Sequence, residues 1–483
     1  MFNKRSLPTH LLLWAAALVT ALPLLAHLAI SVYNRPMLDD FCFAYDAANL
    51  GLFAHVEYMY NTWTGTYSST FFQGIIGVNG LWQFTPMILI ILWAGALLWA
   101  FYPFVAMIDE TRLVAAYRLP VTVILSALLL DATVIGAPNV YQSLYWTSGA
   151  ITYSLPVIIF TVNLGLFVRT VRDSTSVSLP YLALIAGLCV IAGGFSPFFA
   201  VLQVTIWSSI LLGCVLFLPR TYRRAALIAS LTAIGFSLIA FVIVLVAPGN
   251  AVRRARFPDL MPITEVMTTS IRYGITFILT SPYIAVMICG WGLTGSWLYR
   301  IYGKRIAAQR LFLISALAIE AVVVAVICGF FTGFYATNRT PPIRSAIVMQ
   351  YFIMMAAIVI GLALGYGLTQ MLARRSGTQS FRLPIQAVVA GGLIFVTISV
   401  LQMAQQPLND HVALQTFATE WDEIETQLIN AGPDDDIVIQ PFSYDFYTMA
   451  GHDPISTDPG ANGCVNRYYG IRGLRMADAQ NRQ

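Results

Sequence analysis

Charge is what this chain has least of. Asp, Glu, Lys and Arg make up 10% of its 483 residues, against 58% hydrophobic. Soluble globular domains carry about 25% charged residues, so that class is excluded, and a mean hydropathy of +0.72 agrees. There is no Walker loop, no dinucleotide fingerprint and no HExxH. His10, His27 and His55 are scattered without ligand spacing, which argues against a histidine metal centre. No soluble-domain repeat or low-complexity tract is present.

What fills the chain instead is long apolar runs. A membrane span needs about 20 mostly apolar residues, and eleven stretches qualify: 11–32, 84–107, 119–135, 149–168, 179–194, 198–218, 225–246, 274–298, 311–334, 346–371 and 383–401. Short connections make neighbours antiparallel, and backbone in lipid must satisfy its own hydrogen bonds. The expected fold is therefore an all-α polytopic membrane bundle of about eleven transmembrane helices. Lys4-Arg5 before the first run and Ala26-His27-Leu28-Ala29 near its end imitate a signal peptide. That run is too long for a signal core, and it reads as a retained anchor.

With the N-terminus inside, cytoplasmic segments hold sixteen basic residues, including Lys4, Arg5, Arg112, Lys304 and Arg382. The outer loops before the tail hold seven: Arg35, Arg253, Arg254, Arg256, Arg272, Arg339 and Arg344. The bias predicts N-in and C-out. It also isolates Arg253, Arg254 and Arg256 as a cluster on the disfavoured side.

Two regions are expected. Residues 1–405 form the membrane region, in which 33–82 is the first outer loop. From Gln406 the chain carries twelve acids and four arginines, net −8, while the rest is +12. Here Leu414, Phe417, Trp421, Ile424 and Leu428 follow helical spacing. Gly432-Pro433 ends that helix, and Ile437-Val438-Ile439 reads as a strand, so 406–483 is a small α/β extracytoplasmic domain. Four cysteines lie within spans and read as packing residues. Cys42 and Cys464 both fall on the outer side, where a disulfide is permitted but spacing does not test it.

The first outer loop opens with Asp39-Asp40. Phe41, Tyr45, Ala48 and Leu52 share one helical face, and Val56, Tyr60, Trp63 and Tyr67 another, predicting two interfacial helices. Asp40 could cap the first of them. Capping uses one carboxylate, and the second is left for acid–base work or a metal. Arg253 and Arg254 follow the Pro248-Gly249 break; with Arg339 and Arg344 they form a candidate phosphate clamp, because guanidinium forks bind phosphate oxygens in pairs. Snorkelling at helix ends is the plainer explanation. Tyr145, Trp146 and Tyr153 are either an aromatic belt or a sugar-binding surface. Only Asp131 and Glu320 are acids inside spans. Asp131, roughly 6 Å from its span's outer end, is a candidate for the same cavity. For Glu320 a structural hydrogen bond is expected.

These features together resemble the GT-C superfamily of glycosyltransferases, and more closely an uncharacterised bacterial branch of it. The resemblance rests on Asp39-Asp40-Phe41-Cys42, Asn61-Thr62-Trp63-Thr64-Gly65, Tyr145-Trp146-Thr147-Ser148-Gly149 with Tyr153, Ala247-Pro248-Gly249-Asn250 with Arg253, and Asn466-Arg467-Tyr468-Tyr469-Gly470. These short stretches spread over nearly the whole chain. Thr66 stands where such relatives carry Arg. The resemblance implies sugar transfer from a polyprenyl-phosphate-linked donor to a glycan, lipid or protein acceptor at the outer face of the bacterial cytoplasmic membrane. Asp39 or Asp40 would be the base, Arg253, Arg254, Arg339 and Arg344 would meet the lipid phosphate, and Trp63, Asp131, Tyr145, Trp146 and Tyr153 the sugar or acceptor. No cofactor is expected, a divalent metal remaining the alternative, and no nucleic acid. The competing class is a transporter or flippase of lipid-linked saccharides, for which inverted repeats would be the signature.

Overall fold

The structure is a computed structural model that describes residues 7–109, 117–172, 177–257, 261–303, 305–375, 382–444, 449–451 and 454–477. Lys4, Arg5, Arg112 and Lys304 lie outside the described residues.

The chain is helical almost throughout. The helices are α1 Leu7–Ile30, α2 Asp39–Leu50, α3 Leu52–Thr62, α4 Tyr67–Val78, α5 Thr85–Asp109, α6 Arg118–Val134, α7 Thr147–Arg172, α8 Leu179–Gly193, α9 Pro197–Phe217 and α10 Arg220–Leu245. They continue as α11 Pro248–Arg254, α12 Ile263–Thr280, α13 Ile284–Tyr302, α14 Ala308–Thr337, α15 Ala346–Arg375, α16 Arg382–Asn430 and α17 Gly463–Tyr469, with β1 Asp436–Ile439 and β2 Gly473–Met476.

Among the described residues, eight helices are long and apolar enough to cross a membrane, or nine if the bent pair α12–α13 counts as one span. The chain is therefore a membrane-embedded all-α bundle. The expected eleven exceeds that count by α6 and α8, whose 17 and 15 residues, like the runs 119–135 and 179–194 they occupy, are short for a full crossing. α7 and α15 are the most enclosed spans. α13 lies against α15 with almost no side chain between them; a Cβ on Gly365 would fall 1.8 Å from the carbonyl of Gly292. Small residues that bring backbones together in this way serve membrane helix packing. The break at Ser196-Pro197 is real: Ser196 caps α9, its side chain accepting from the amide of Phe199 at 3.1 Å.

The first loop contains three helices rather than two. The stripe Val56, Tyr60, Trp63, Tyr67 is cut between Thr62 and Tyr67, because Trp63-Thr64-Gly65-Thr66 leaves helical geometry. Thr66 is buried, its carbonyl accepting the hydroxyl of Thr70 at 2.9 Å.

The tail is not separated from the bundle by a linker. α16 runs unbroken through residue 405 to Asn430, carrying Pro407 within it. β1 and β2 pair in parallel, from Asp436 opposite Gly473 to Ile439 opposite Met476. This tail clamps the first loop. Cys42 of α2 is bonded to Cys464 of α17. Arg35 forks onto Asp422 at 2.6 and 2.7 Å. Phe41 packs between Trp421, Tyr468 and Tyr469. The segment Asn466–Gly470 thus supports the helix that begins with Asp39.

Candidate active site

The site is built where the start of α2 meets the start of α7. Met37 carries the local geometry: its amide donates to Asp40 Oδ2 at 3.0 Å, and its carbonyl accepts Trp146 Nε1 at 3.2 Å. Between these anchors Leu38 sits at φ 46°, ψ −108°. A leucine in that region is strained by an amount on the order of 1–3 kcal/mol, and such strain persists only where the surroundings over-determine it. The kink throws the next two side chains in different directions.

Asp40 turns inward and is buried. Its Oδ1 accepts the amide and the hydroxyl of Ser148, at 2.8 and 2.6 Å. Ser148 in turn is held from the other side, its carbonyl accepting Gln73 Nε2 at 3.0 Å. Burial pushes the Asp40 carboxyl up to about 7, against the pull of these donors. Asp40 is therefore neither a simple N-cap nor an open base; it is the bolt between the first loop and α7.

Asp39 turns outward. It is solvent-exposed and makes no side-chain hydrogen bond or ion pair among the described residues. The protein mass around it still raises its carboxyl above the usual range, with Arg344 and then Arg253 pulling the other way.

The two arginines are braced on aromatic rings. The guanidinium of Arg344 lies 4.6 Å from the centre of the Trp146 ring, and that of Arg253 5.4 Å from the Trp63 ring. Cations over indole faces are held without losing their hydrogen-bond donors, and neither side chain donates to a protein acceptor among the described residues. Burial works against the charge on Arg253, while Tyr153 and Asp39 favour it. Tyr153 therefore belongs to the cluster.

Two glycines allow this approach. A Cβ on Gly149 would come 3.1 Å from Arg344 Cδ and 2.1 Å from the carbonyl of Gln142. One on Gly249 would come 2.5 Å from the amide nitrogen of Trp63. Asn250 completes the second junction, receiving the amide of Gly65 at 3.3 Å and donating to the carbonyl of Val244 at 2.6 Å. The stretches 61–65 and 247–250 are thus the two halves of one contact that sets Trp63 beneath Arg253.

The remaining candidates are placed elsewhere. Arg254 lies exposed, its Nη1 donating to Tyr335 at 3.2 Å, and Arg339 lies exposed over Phe257. Of the four arginines expected in the clamp, Arg344 and Arg253 are therefore the two whose charges act on Asp39, while Arg254, the next residue round the short α11, and Arg339 are held by other aromatic side chains. Tyr145 is buried with its hydroxyl 2.8 Å from His27 Nδ1, and Asp131 is fully buried with both carboxylate oxygens unpartnered. Neither presents a surface that a sugar could touch, and Trp146, 3% exposed beneath Arg344, is as enclosed as Tyr145; this corrects all three as sugar or acceptor contacts. Glu320 makes no hydrogen bond among the described residues and is exposed on α14, contrary to expectation.

Sequence reasoning missed Ser148 and Gln73 as partners in the bolt. It placed Arg256 in the outer arginine cluster but not in the clamp, and Arg256 shares the Trp63 ring at 4.7 Å. Ser148 stood within a quoted stretch, but nothing local tied it to Asp40. Among the described residues, no three His, Cys, Asp or Glu side chains stand together as a metal-binding group.

Compared with known proteins, the chain matches no family model, no curated protein and no solved structure.

Proposed function

We propose that this chain is an inverting glycosyltransferase of the GT-C type. It moves a sugar from a polyprenyl-phosphate-linked donor to an acceptor hydroxyl at the outer face of the bacterial cytoplasmic membrane. Asp39 takes the hydroxyl proton as that oxygen attacks the anomeric carbon. The bond between that carbon and the phosphate oxygen breaks, and the polyprenyl phosphate leaves with the electron pair. Arg344 and Arg253 meet the charge that develops on it, preorganised by Trp146 and Trp63.

The observation that supports this reading best is the division of labour in the acidic pair. Asp40 is consumed by Ser148 and Met37, while Asp39 stays open and lies within the field of two arginines that donate to no protein acceptor among the described residues. A pair serving only the helix start would leave no such group. The orientation rests on the arginine bias and on the Cys42–Cys464 bond, since disulfides persist in oxidising compartments.

The test is transfer in membranes from labelled polyprenyl-phosphate hexoses, with the membrane's own acceptors. Asp39→Asn should abolish transfer while the protein inserts and purifies as the parent does. Parental rates in Asp39→Asn would overturn the reading and return the transporter class to first place.

A further inference from the structure

The proposed chemistry occupies the end of the bundle where α7 begins. From Thr147, beside Asp40, α7 runs 26 residues, about 39 Å at the helical rise, to Arg172 at the opposite end. Toward that opposite end lies a cavity of about 640 Å³ between α5, α7, α9, α14 and α15, with the start of α10 at its mouth. Phe104, Phe167, Ile210, Leu317, Ala318 and Val359 line its walls. Below the mouth the one side-chain hydroxyl is that of Ser209, and it is spent on the carbonyl of Thr205 at 3.2 Å. A buried water needs about two to four polar partners, and these walls do not supply them. In a membrane-embedded chain the filling available to such a space is hydrocarbon. The depth fits one leaflet: from Ile206 to Phe217 the lining of α9 runs about 16 Å, against about half of a hydrocarbon layer about 30 Å thick.

The mouth is of one sign. The carbonyls of Phe217 and Leu218, left over at the end of α9, gather two guanidinium groups from two other helices. Arg310 of α14 donates through Nη2 to Phe217, and Arg223 of α10 donates through Nε and Nη2 to Leu218, at 3.3 and 3.0 Å. Neither arginine makes another hydrogen bond or an ion pair among the described residues. A guanidinium has five N–H donors, so both keep donors for an anion, and phosphate oxygens suit them. The last turn of α7 and the starts of α10 and α14 hold Arg169, Arg172, Arg220, Arg223, Arg224 and Arg310, and no acid. A basic mouth above an apolar slot between membrane helices is complementary to an anionic head group above its own chain.

We infer that this cavity holds one acyl chain of an anionic phospholipid from the leaflet opposite Asp39, with the lipid phosphate on Arg223 and Arg310. This lipid takes no part in the proposed transfer reaction.

The test is native mass spectrometry of the full chain released from nanodiscs of equal phosphatidylethanolamine and phosphatidylglycerol. The parent should retain one phosphatidylglycerol in preference to phosphatidylethanolamine. Arg223→Gln combined with Arg310→Gln should cut that retention at least about fivefold, while Arg300→Gln, at the exposed end of α13, should leave it unchanged. Ala318→Trp, which fills the cavity, should abolish retention with both arginines intact. Glycerol phosphate, a head group without chains, should not displace the lipid. Equal retention of the two lipids, no loss in the double variant, the same loss in Arg300→Gln, or displacement by glycerol phosphate would each overturn the inference. So would parental retention in Ala318→Trp, or a copurified polyprenyl phosphate in place of the phospholipid.

Discussion

Asp40 and Ser148, 108 residues apart, are joined twice through one oxygen: Asp40 Oδ1 receives both the amide and the hydroxyl of Ser148. That link ties the entry of α2 to the entry of α7 and leaves the neighbouring Asp39 free.

Changing the bolt should cost stability before chemistry. Asp40→Asn places an amide NH2 where donors already converge, and a mismatch of this kind costs about 1–3 kcal/mol. Ser148→Ala removes one donor and should cost about 1 kcal/mol. Thermal unfolding in detergent should register both, with residual transfer activity kept in the fraction that is folded. Because burial raises Asp40 to about 7 in the folded protein, against an unfolded value of about 3.9, its contribution is fully present below about pH 4. It is lost as pH rises through 7. The parent should therefore lose stability across that window relative to Asp40→Asn; parallel pH profiles would show that Asp40 does not titrate there.

The pH dependence of transfer should report Asp39. A base works ionised, so the rate should rise with pH through an acid limb placed above the ordinary aspartate range, as the desolvation by the protein around Asp39 dictates. Arg344 pulls that carboxyl down, so Arg344→Gln should move the limb to higher pH as well as slow the reaction. A limb that stays fixed in Arg344→Gln would separate the arginine from the base.

Gly249→Ala should disturb the site from outside it. The new methyl would sit 2.5 Å from the Trp63 amide nitrogen, so the loop must retreat and take the ring away from Arg253. We expect destabilisation of about 1–3 kcal/mol, as for other overpacking, with weaker donor binding. Tryptophan fluorescence and donor titration would measure the two effects, and a parental affinity would contradict the link.

Cys464→Ser tests the clamp of the tail on α2. Losing a native disulfide costs about 2–5 kcal/mol in small secreted domains. Here Arg35–Asp422 and the packing of Phe41 on Trp421 remain, so the lower end is expected. Limited proteolysis after residue 430 should become faster than in the parent, and transfer should fall because α2 carries Asp39. Unchanged cleavage and rate would make the bond incidental.

Much of this protein was written in local pattern. The scarcity of charge and the apolar runs imposed a helical membrane bundle, since lipid allows backbone no other partners. Helical spacing in the tail located the end of α16, and Gly432-Pro433 its stop. The acidic pair and the arginines at Pro248-Gly249 stood out because each opposed its surroundings. The count of spans was less legible, because the runs that became α6 and α8 are already short of a full crossing, and hydropathy does not say whether so short a helix spans.

What the tertiary structure alone decided was which of those residues act together. Asp39 and Asp40 are equivalent by type and position. They part only because Ser148 meets one of them across the fold and Leu38 is forced into a strained turn between fixed anchors. Arg253 and Arg254 likewise diverge by the rotation of one short helix. Tyr145 and Asp131, attractive by composition, are enclosed by neighbours far along the chain. Spacing along a sequence sets the face of a helix, but the packing of distant helices sets what that face meets.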